Sequence, residues 1–323
     1  MKTILIIPRI KIDNANAFSS PYTAGFPAIS AFGGFADKMM RDIHKAGLTG
    51  LEFGGLGIVS HKFNLRAYRE NRFVDASIIA TSNPLTKDGE RPSFVPEIKC
   101  NLEVSIICEI INCTLNDRDK LPDLVKDVMA NGIRVAGGNI LGYGECKLID
   151  ITENPKNTMQ QLIKILMPGY AIIERRDMII KEMEHGSDAL NALLDGVAVN
   201  AKVEEDEAGR LKLLRSRMHQ GWIVPVSVGY AAIGPLGHAI GQRNPDEPHR
   251  FVESIVTLGE FVMLHRIDNI NKTLDEEKEP SWKRFEQAIK TVIDYYLNLK
   301  EGSKKEQSEV INTYITVIVA YCD

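Results

Sequence analysis

The segment that follows the first predicted strand contains side chains suited to binding a single-stranded nucleic acid. Its amides could hydrogen-bond the edges of bases, its hydroxyls could donate to phosphate oxygens, and its aromatic rings could stack on bases. The residues are the amides Asn14 and Asn16, the hydroxyls Ser19 and Ser20, and the rings Phe18 and Tyr22. Asn and Ser side chains also satisfy the backbone of folded loops. The sequence therefore leaves open whether this segment binds a ligand or only stabilises its own loop.

A pair of glycines later in the chain could provide a phosphate contact. Arg134 precedes Gly137 and Gly138, where bare backbone amides can approach a phosphate closely. Asn139 follows this pair directly. A tight turn that needs a positive φ would explain the glycines equally well, so both interpretations stay open.

Two further segments in the second half carry basic residues that could contact phosphate. Arg243 and Arg250 flank a Gly- and Pro-rich loop and could clamp a phosphate, or they could be solvated loop charges. Residues 210–217 hold four basic residues in eight on a predicted helix. Such a run is commonly a solvated helix face, but it could also contact a protein partner or a displaced DNA strand.

The sequence lacks the residue patterns of known catalytic and metal sites. None of the seven histidines lies in a metal-ligand spacing such as HExxH, and neither GxxxxGK[ST] nor GxSxG occurs. The glycines of 54–57 do not fit GxGxxG, so a bend at a strand edge explains them better than a dinucleotide site. His61, after the second predicted strand, could act as a general acid or base, although a structural role is commoner. We therefore predict no catalytic residue, no metal, no cofactor and no enzyme activity.

Composition and charge indicate a globular protein that does not bind nucleic acid by net charge alone. The 323 residues are 44% hydrophobic and 25% charged, with a formal net charge of −4 and a pI of about 6.0. Domains that bind nucleic acid alone often have a pI above about 9. Because phosphate neutralisation supplies much of the affinity, any RNA contact must come from local basic clusters, with the help of partner proteins.

Cysteine usage and hydropathy indicate a protein of a reducing compartment. The five cysteines are an odd number without a CxxC pair, which argues against a disulfide framework. Only four consecutive apolar residues precede Pro8, too few for a signal peptide. The apolar stretch 315–322 is far shorter than the roughly 20 residues of a membrane span. We expect a cytoplasmic protein that has no membrane contact.

Hydrophobic patterning predicts an α+β protein. A strand at 3–12, a helix at 36–46 and a strand at 51–61 match half of a ferredoxin-like or RRM-like unit. Later elements are predicted as strands at 74–80, 102–111, 133–141 and 222–233, and as helices at 121–130, 158–166, 250–265 and 282–299. Turn residues between 80 and 102 join the first two of these strands into a long hairpin. Trp222 and Tyr230, eight residues apart on one strand, are predicted to share a face in the core.

Several short motifs occur along the chain in a fixed order. They are Pro8-Arg9, Asn14-Ala15-Asn16-Ala17, Ser19-Ser20-Pro21, Gly25-Phe26-Pro27, Asn83-Pro84-Leu85, Arg134 to Leu141, Met167-Pro168-Gly169-Tyr170, Gly221 to Pro225 and Arg250-Phe251-Val252-Glu253. In this order they resemble the family of second Csy proteins, the Cas five subunits of type I-F CRISPR systems. Each motif alone is weak, but their shared order between residues 4 and 266 is hard to produce by chance.

The resemblance implies a ferredoxin-like (RRM-like) palm with a β-hairpin thumb and a helical insertion. The palm would span 1–150, with the thumb at about 73–111. The mainly helical insertion would span 151–220, and 221–323 would return a strand to the palm and add C-terminal helices.

The resemblance also implies a function in antiviral defence. Such a protein is a non-catalytic subunit of the type I-F surveillance complex, Cascade, and grips the 5′ handle of the crRNA. It contacts the large subunit, the nearest backbone subunit and, through the assembled complex, target DNA. Arg9 would join the RNA contacts, and the hairpin tip with Lys87 and Arg91 would wedge between a base and its neighbour.

Two alternatives stay open. A repeated backbone subunit of a minimal type I-F variant would coat the crRNA spacer, and residues 267–323, which do not follow the family pattern, keep such a variant open. A RAMP-type endoribonuclease of similar fold would need a base such as His61 near the RNA. One copy of the chain per assembly would favour the handle-binding subunit, whereas about half a dozen copies would favour the backbone subunit. Metal-independent cleavage of repeat RNA would favour the endoribonuclease.

Overall fold

Helices and a large antiparallel sheet make up the computed structural model of the protein, which confirms the predicted α+β class. The structure describes residues 3–71, 76–81, 85–91, 97–150, 155–205, 209–242, 244–246 and 248–267. The helices in these ranges are α1 (Ile29–Lys45), α2 (Leu115–Ala130), α3 (Pro155–Leu166), α4 (Arg176–Glu184), α5 (Ala189–Val197) and a 3-10 helix (Leu264–Arg266).

The strands differ widely in length, and the three longest lie next to one another. In chain order they are β1 (Thr3–Asn16), β2 (Phe18–Ser20), β3 (Thr23–Ala24), β4 (Glu52–Leu65), β5 (Ala67–Tyr68), β6 (Ser77–Ile78), β7 (Ala80–Thr81), β8 (Glu97–Ile111), β9 (Arg134–Val135), β10 (Gly138–Gly142), β11 (Lys147–Asp150), β12 (Tyr170–Glu174), β13 (Asn200–Glu205), β14 (Leu211–Ser216), β15 (Ile223–Ala232) and β16 (Val252–Met263).

Ten of these strands form one sheet. Its main path runs β15-β16-β12-β4-β8-β1-β10-β9, with β11 also paired to β1 and β7 paired to β8. Each pairing that the described strands make is antiparallel. Leu5, Ile6 and Ile7 of β1 have no exposed surface, because a central strand that is covered on both faces reads as a continuous apolar run.

Two helices, α1 and α2, connect the central strands of the sheet. α1 links β1 to β4, which lie parallel to each other on either side of β8. Its buried side chains Phe32, Ala36 and Met39 recur at helical spacing and pack into the main core. α2 follows β8 and contacts α1. Its N-terminus is a capping box, in which the Thr114 hydroxyl accepts from the Asp117 amide and the Asp117 carboxylate accepts from the Thr114 amide.

The two ends of the sheet both reach α1. This helix contacts β9 at one end of the strand order and β15 at the other, in addition to β4 in the centre. β15 also contacts β2 and β3, which follow β1 directly. The sheet therefore curves around α1, and residues far apart in the chain meet beside the N-terminal half of this helix.

The structure confirms most predicted elements of the first half. β1 and β4 cover the predicted strands, and α1, α2 and α3 cover the predicted helices. The residues 102–111 are a strand, but they pair with β1 and β4 in the sheet centre, and not with 74–80 as predicted. The hairpin pairing that is described joins Ala80–Thr81 to the start of β8. Pro122, predicted in the first turn of its helix, lies inside α2.

Two helix predictions in the second half are wrong. Residues 250–265 contain β16, which pairs with β15 and β12 on its two sides. Residues 257–260 of this strand are buried in an unbroken run, so burial there does not alternate as it does on a half-exposed strand. The basic run 210–217 is β14, which pairs with β13 in a separate two-stranded ribbon. β12, inside the range predicted as a mainly helical insertion, belongs to the main sheet, and the predicted helix 282–299 lies outside the described residues.

Candidate nucleic-acid interface

A groove of about 540 Å³ opens where the two ends of the sheet approach α1. The loop after β1, the N-terminal half of α1, the turn between β9 and β10, and β15 all line it. Five residues that the sequence suggested for RNA binding or its loop are among the lining residues: Asn16, Phe18, Ser19, Arg134 and Gly137. The fold thus brings the polar loop and the glycine turn, more than 110 residues apart, into one site.

The Asn16 side chain fixes the backbone of Phe18, whose ring is exposed. Its side-chain oxygen accepts a hydrogen bond from the Phe18 amide, and its side-chain nitrogen donates to the Phe18 carbonyl oxygen, both at 3.1 Å. The Asn16 amide donates to the Ala136 carbonyl at 2.8 Å, which ties the loop to the glycine turn. The Asn16 side chain is therefore engaged by the Phe18 backbone. The Phe18 residue, 40% exposed, stays accessible.

The hydroxyls of Ser19 and Ser20 are turned inward. Both side chains are buried, and each lies within hydrogen-bond distance of the Thr23 hydroxyl, at 2.8 Å and 2.7 Å. The Ser20 hydroxyl also accepts from the Tyr22 amide. This network is the loop-stabilising arrangement that the sequence left open as the alternative to phosphate binding.

The turn between β9 and β10 brings backbone and the cation of Arg134 to the groove, while Asn139 is not among the described lining residues. Ala136 and Gly137 have φ values of 49° and 74°, a left-handed pair that makes the turn tight. Arg134 and Asn139 on either side are exposed. Gly138 is buried, and a Cβ there would lie 2.8 Å from both the Ala15 nitrogen and the Asp13 oxygen. Close packing against β1 therefore accounts for this glycine.

The charge of the groove is positive. Lys38 from α1 and Arg134 from β9 line it, and none of the described lining residues is acidic. The Lys38 ammonium hydrogen-bonds the Asp42 carboxylate one turn later, and this bond lowers the pKa of that carboxyl. On a chain with a formal charge of −4, this is the kind of local basic site that phosphate binding requires.

Arg9 lies in a different place and is occupied by protein contacts. Its guanidinium hydrogen-bonds Glu103 at 3.3 Å and donates to the carbonyl oxygens of Met167 and Pro168, both at 3.2 Å. Its amide donates to the Ser105 hydroxyl at 3.0 Å. Arg9 thereby links β1 and β8 to the turn before β12.

His61 belongs to the same cluster and both of its ring nitrogens have partners. Nδ1 lies 2.7 Å from the Pro168 carbonyl oxygen, and Nε2 lies 2.6 Å from the Ser105 hydroxyl. A neutral ring meets both, because Nδ1–H donates to the carbonyl while Nε2 accepts from the hydroxyl. Burial lowers the pKa of His61, which favours this neutral form. The histidine therefore acts as a link between β4, β8 and the 167–168 turn.

Comparison with known proteins places this geometry in a family. A family model described as CRISPR-associated protein (Cas_Csy2) matches residues 5–283. The chain belongs to the Csy2 family. The CRISPR-associated protein Csy2 of Pseudomonas aeruginosa strain UCBPP-PA14 is 31% identical over 300 residues, which cover 84% of this chain and 90% of that protein. The predicted resemblance is confirmed, and the family match extends beyond residue 266, where the motifs ended.

Membership in the Csy2 family gives the chain a general role. It is a type I-F CRISPR protein of antiviral defence and a subunit of the Cascade complex. Across the described residues no helix has the length and apolar character to cross a membrane. The same part of the chain holds no group of three His, Cys, Asp or Glu side chains arranged for a metal ion.

The remaining predicted binding residues of this Csy2-family chain lie away from the groove lining. Lys87 and Arg91 are exposed, and the turn beside them is closed by the Gly89 amide, which donates to the Thr86 carbonyl. Asn14 has a φ of 60°, and its amide donates to the Asn101 side chain at 3.1 Å. Two arginines complete the set: Arg250 is half-buried, and Arg243 lies outside the described residues.

Sequence reasoning missed two groove residues, Lys38 and Tyr230. Lys38 belongs to no motif of the sequence and lies on α1, four residues before Asp42. Tyr230 was predicted in the core with Trp222, but the two are 44% and 51% exposed. A register irregularity between Ser227 and Gly229 changes the alternation of β15. Only the curvature of the sheet brings Tyr230 to the groove, and no local pattern encodes it.

Trp222 packs on the surface of the sheet at the other end of β15. Its ring centroid lies 5.1 Å from that of Phe261 and 5.7 Å from that of Tyr170. Phe261 in turn meets Phe26 edge-on. Trp222 is thus a half-exposed cover over an aromatic cluster, and it is not part of the groove.

The His61 cluster predicts a pH-dependent stability. Because burial lowers the pKa of His61 from its ordinary value of 6.5, the unfolded chain binds the proton more tightly than the folded chain. This contribution to stability is complete above about pH 6.5 and is lost as the pH falls through the folded pKa. We expect the fall in Tm between pH 8 and pH 5 to be smaller in His61→Gln than in the parent.

The exposed His185 supplies the control for this experiment. Its Nδ1 lies 2.6 Å from the Lys181 carbonyl within the same helix end, and the residue is exposed. His185→Gln should leave the pH dependence of the Tm as it is in the parent. An unchanged pH dependence in His61→Gln would show that the 167–168 turn tolerates the imidazolium.

Proposed function

We propose that the chain is a non-catalytic Cascade subunit that holds the repeat-derived 5′ handle of the crRNA. The observation that carries the proposal is the groove beside α1. It combines exposed aromatic surface, two cations and a tight left-handed turn, and its described lining lacks carboxylates. Flat rings with nearby cations and polar backbone are what an unpaired RNA segment requires.

The fold supports this proposal. The strands β4-β8-β1-β10, with α1 between β1 and β4 and α2 between β8 and β9, follow the order of a split β-α-β unit. We propose that these elements are the ferredoxin-like (RRM-like) palm of residues 1–150. We further propose that the turn with Lys87 and Arg91 is the tip of the thumb, that 151–220 is an insertion, and that 221–323 completes the palm.

The partners follow from the charge of the chain and from the family. A chain with a formal charge of −4 gains little from non-specific attraction to RNA, since phosphate neutralisation supplies most of that attraction. We therefore propose that it grips the crRNA together with the large subunit and the nearest backbone subunit. Contact with target DNA would come through the assembled complex, which would act in the cytoplasm.

We propose that the chain is not an enzyme because both ring nitrogens of His61 already have hydrogen-bond partners. A general base must reach the proton that it removes, whereas both nitrogens of this ring are engaged by Pro168 and Ser105. Arg9, the cation nearest to it in the cluster, is held by Glu103 and two carbonyl oxygens. Rapid, metal-independent cleavage of repeat RNA that His61→Ala abolishes would overturn this part of the proposal.

The test of handle binding uses the assembled complex. The chain is co-expressed with its Cascade partners and crRNA, either with the native 5′ handle or with a handle of scrambled sequence and equal length. We expect one copy of the chain per complex, and a marked loss of assembly with the scrambled handle. Several copies per complex, or equal assembly with both RNAs, would contradict the proposal.

Arg134 provides the matched variant for this test. Arg134→Gln removes a groove cation, and we expect the dependence of log affinity on log salt to become shallower by about 0.7, the value for one phosphate contact on a single strand. Lys120→Gln removes an exposed cation from α2, outside the groove lining, and should leave the salt dependence unchanged. Equal effects of both variants would indicate non-specific attraction.

A further inference from the structure

Two aromatic rings from opposite parts of the chain line the same groove. Phe18 follows β1 and is 40% exposed, and Tyr230 belongs to β15 and is 44% exposed. Rings of this size are commonly more buried than this, because each removes a large apolar area from water when it is covered. Two half-exposed rings on one concavity therefore indicate a flat ligand.

The backbone that carries each ring is fixed by hydrogen bonds. The Phe18 backbone is fixed by the two hydrogen bonds with the Asn16 side chain. Tyr230 lies on β15, where its backbone pairs with Ser254 of β16, just after the register irregularity between Ser227 and Gly229. A ligand that stacks on these rings would meet a site that is largely formed in advance, which lowers the entropic cost of binding.

The charges and size of the groove limit what the ligand can be. Lys38 and Arg134 supply positive charge, although the Lys38 ammonium is shared with the Asp42 carboxylate. The described lining residues themselves include no carboxylate that would balance a cationic ligand. The volume of about 540 Å³ falls within the range of about 300–1,000 Å³ for small-molecule sites. It suits a single nucleotide and is too small for a duplex.

We propose that this groove takes one unstacked nucleotide of the crRNA handle. Its base stacks on Phe18 or Tyr230, or between them, and its phosphate is held by Lys38 and Arg134. This inference rests on the proposed handle-binding function and adds the mode of recognition and two residues, Lys38 and Tyr230. Because Tyr230 comes from the far end of the sheet, the bound base would also join the two ends of the sheet across α1.

The experiment places the fluorescent base 2-aminopurine, one position at a time, in the handle of a synthetic crRNA assembled into the complete complex. Stacking on an aromatic ring quenches this base, so we expect one handle position to show quenching that depends on the groove. Phe18→Ala and Tyr230→Ala should each restore fluorescence at that position. They should also weaken handle affinity by about 5- to 160-fold, the range for one base stacked on an aromatic ring.

Two further variants separate stacking from damage to the fold. Tyr230→Phe keeps the ring and should retain the quenching, since the hydroxyl is not required for stacking. Tyr68→Ala removes a ring that is 60% exposed outside the groove and should leave every position unchanged. Lys38→Gln should weaken handle binding while the quenching in the bound complex persists.

The outcomes distinguish the inference from the function on which it rests. If the native handle is required for assembly but no position responds to Phe18→Ala or Tyr230→Ala, the single-nucleotide site is wrong and handle binding stands. If scrambled and native handles assemble equally, handle binding itself is wrong. A response to Tyr230→Ala that Tyr230→Phe reproduces in full would also overturn the stacking role.

Discussion

Replacing Arg175 by methionine is expected to lower the free energy of unfolding by about 3–5 kcal/mol, the usual cost of removing one partner from a buried ion pair. Arg175 lies at the end of β12, and its guanidinium hydrogen-bonds the Glu260 carboxylate of β16. The two side chains are only 14% and 11% exposed. Without Arg175, the Glu260 charge is left in a place where water cannot compensate it.

The loss of stability in Arg175→Met should be concentrated where the main sheet meets α4. Arg175 also binds Asp177 at the start of α4, with Nε–Oδ1 and Nη2–Oδ2 distances of 3.0 Å and 3.1 Å. It therefore connects the main sheet to the α4–α5 region. We expect denaturant unfolding of Arg175→Met to begin at a markedly lower midpoint than in the parent, and hydrogen exchange to rise first in α4 and β16.

The adjacent arginine is a matched control. Arg176 pairs with Glu174 at 2.7 Å, but its side chain is 53% exposed, and surface pairs contribute about 0–1 kcal/mol. Arg176→Met should therefore be close to neutral. The double variant Arg175→Met with Glu260→Met should recover most of the lost stability, because no charge is then left buried. A double variant as unstable as Arg175→Met would assign the loss to packing.

The elements that the sequence predicted correctly are those with one clear environment. α1 has a single apolar stripe against the sheet, so its spacing of 3 to 4 residues is visible in the sequence. β1 carries enough β-branched residues to be recognised as a strand. β4 was recognised as a strand although three glycines interrupt its apolar residues. The wrong elements lack such a signal. β16 is buried in an unbroken run only over residues 257–260, and β14 is an exposed strand whose charges resemble a helix surface.

The proposed binding site was predictable in composition and not in arrangement. Phe18 and Arg134 were suggested from residue type, and the structure brings them to one groove. The hydroxyls of Ser19 and Ser20 instead close their own loop, because Thr23 lies within hydrogen-bond distance of both. Which polar groups of a loop face inward depends on the backbone path, and this path follows from contacts with β15 and the glycine turn that lie far away in sequence.

Arg9 is a second residue whose contacts could not be predicted from its type or motif. As part of a family motif it was assigned to RNA, yet its donors are shared among Glu103, Met167 and Pro168. With a φ of 55° it stands in a left-handed conformation that non-glycine residues seldom adopt. The positive φ aims its side chain across the sheet at the 167–168 turn. The motif thus located a constrained residue that contacts β8 and this turn. Its assignment to RNA stays a prediction.

Adding a methyl group at Gly138, in Gly138→Ala, is expected to lower the stability of the protein. The new Cβ would lie 2.6 Å from Ile12 Cγ2 and 2.8 Å from both the Ala15 nitrogen and the Asp13 oxygen. Backbone atoms cannot rotate away as a side chain can, so β10 must separate from β1. Overpacking of this kind costs about 1–3 kcal/mol, and a fall in Tm of several degrees should accompany it.

The same displacement should reach the groove. Val135 and Gly138 pair across the turn that carries Arg134 and the left-handed Ala136, so moving β10 away from β1 moves the turn as well. We therefore expect Gly138→Ala to weaken handle RNA binding in the assembled complex together with its loss of stability. Thermal unfolding and RNA retention measured on the same preparations would follow both effects.

Gly142, on the same strand, is the matched control. A Cβ at Gly142 meets no atom within 4 Å, so Gly142→Ala should preserve both stability and RNA binding. The comparison also decides what Gly138 does. If Gly138→Ala unfolded like the parent and lost only RNA binding, the glycine would be needed for the approach of a phosphate, as the sequence first suggested. Loss of both properties would instead show that it acts by letting β10 lie against β1 and so holds Arg134 at the groove.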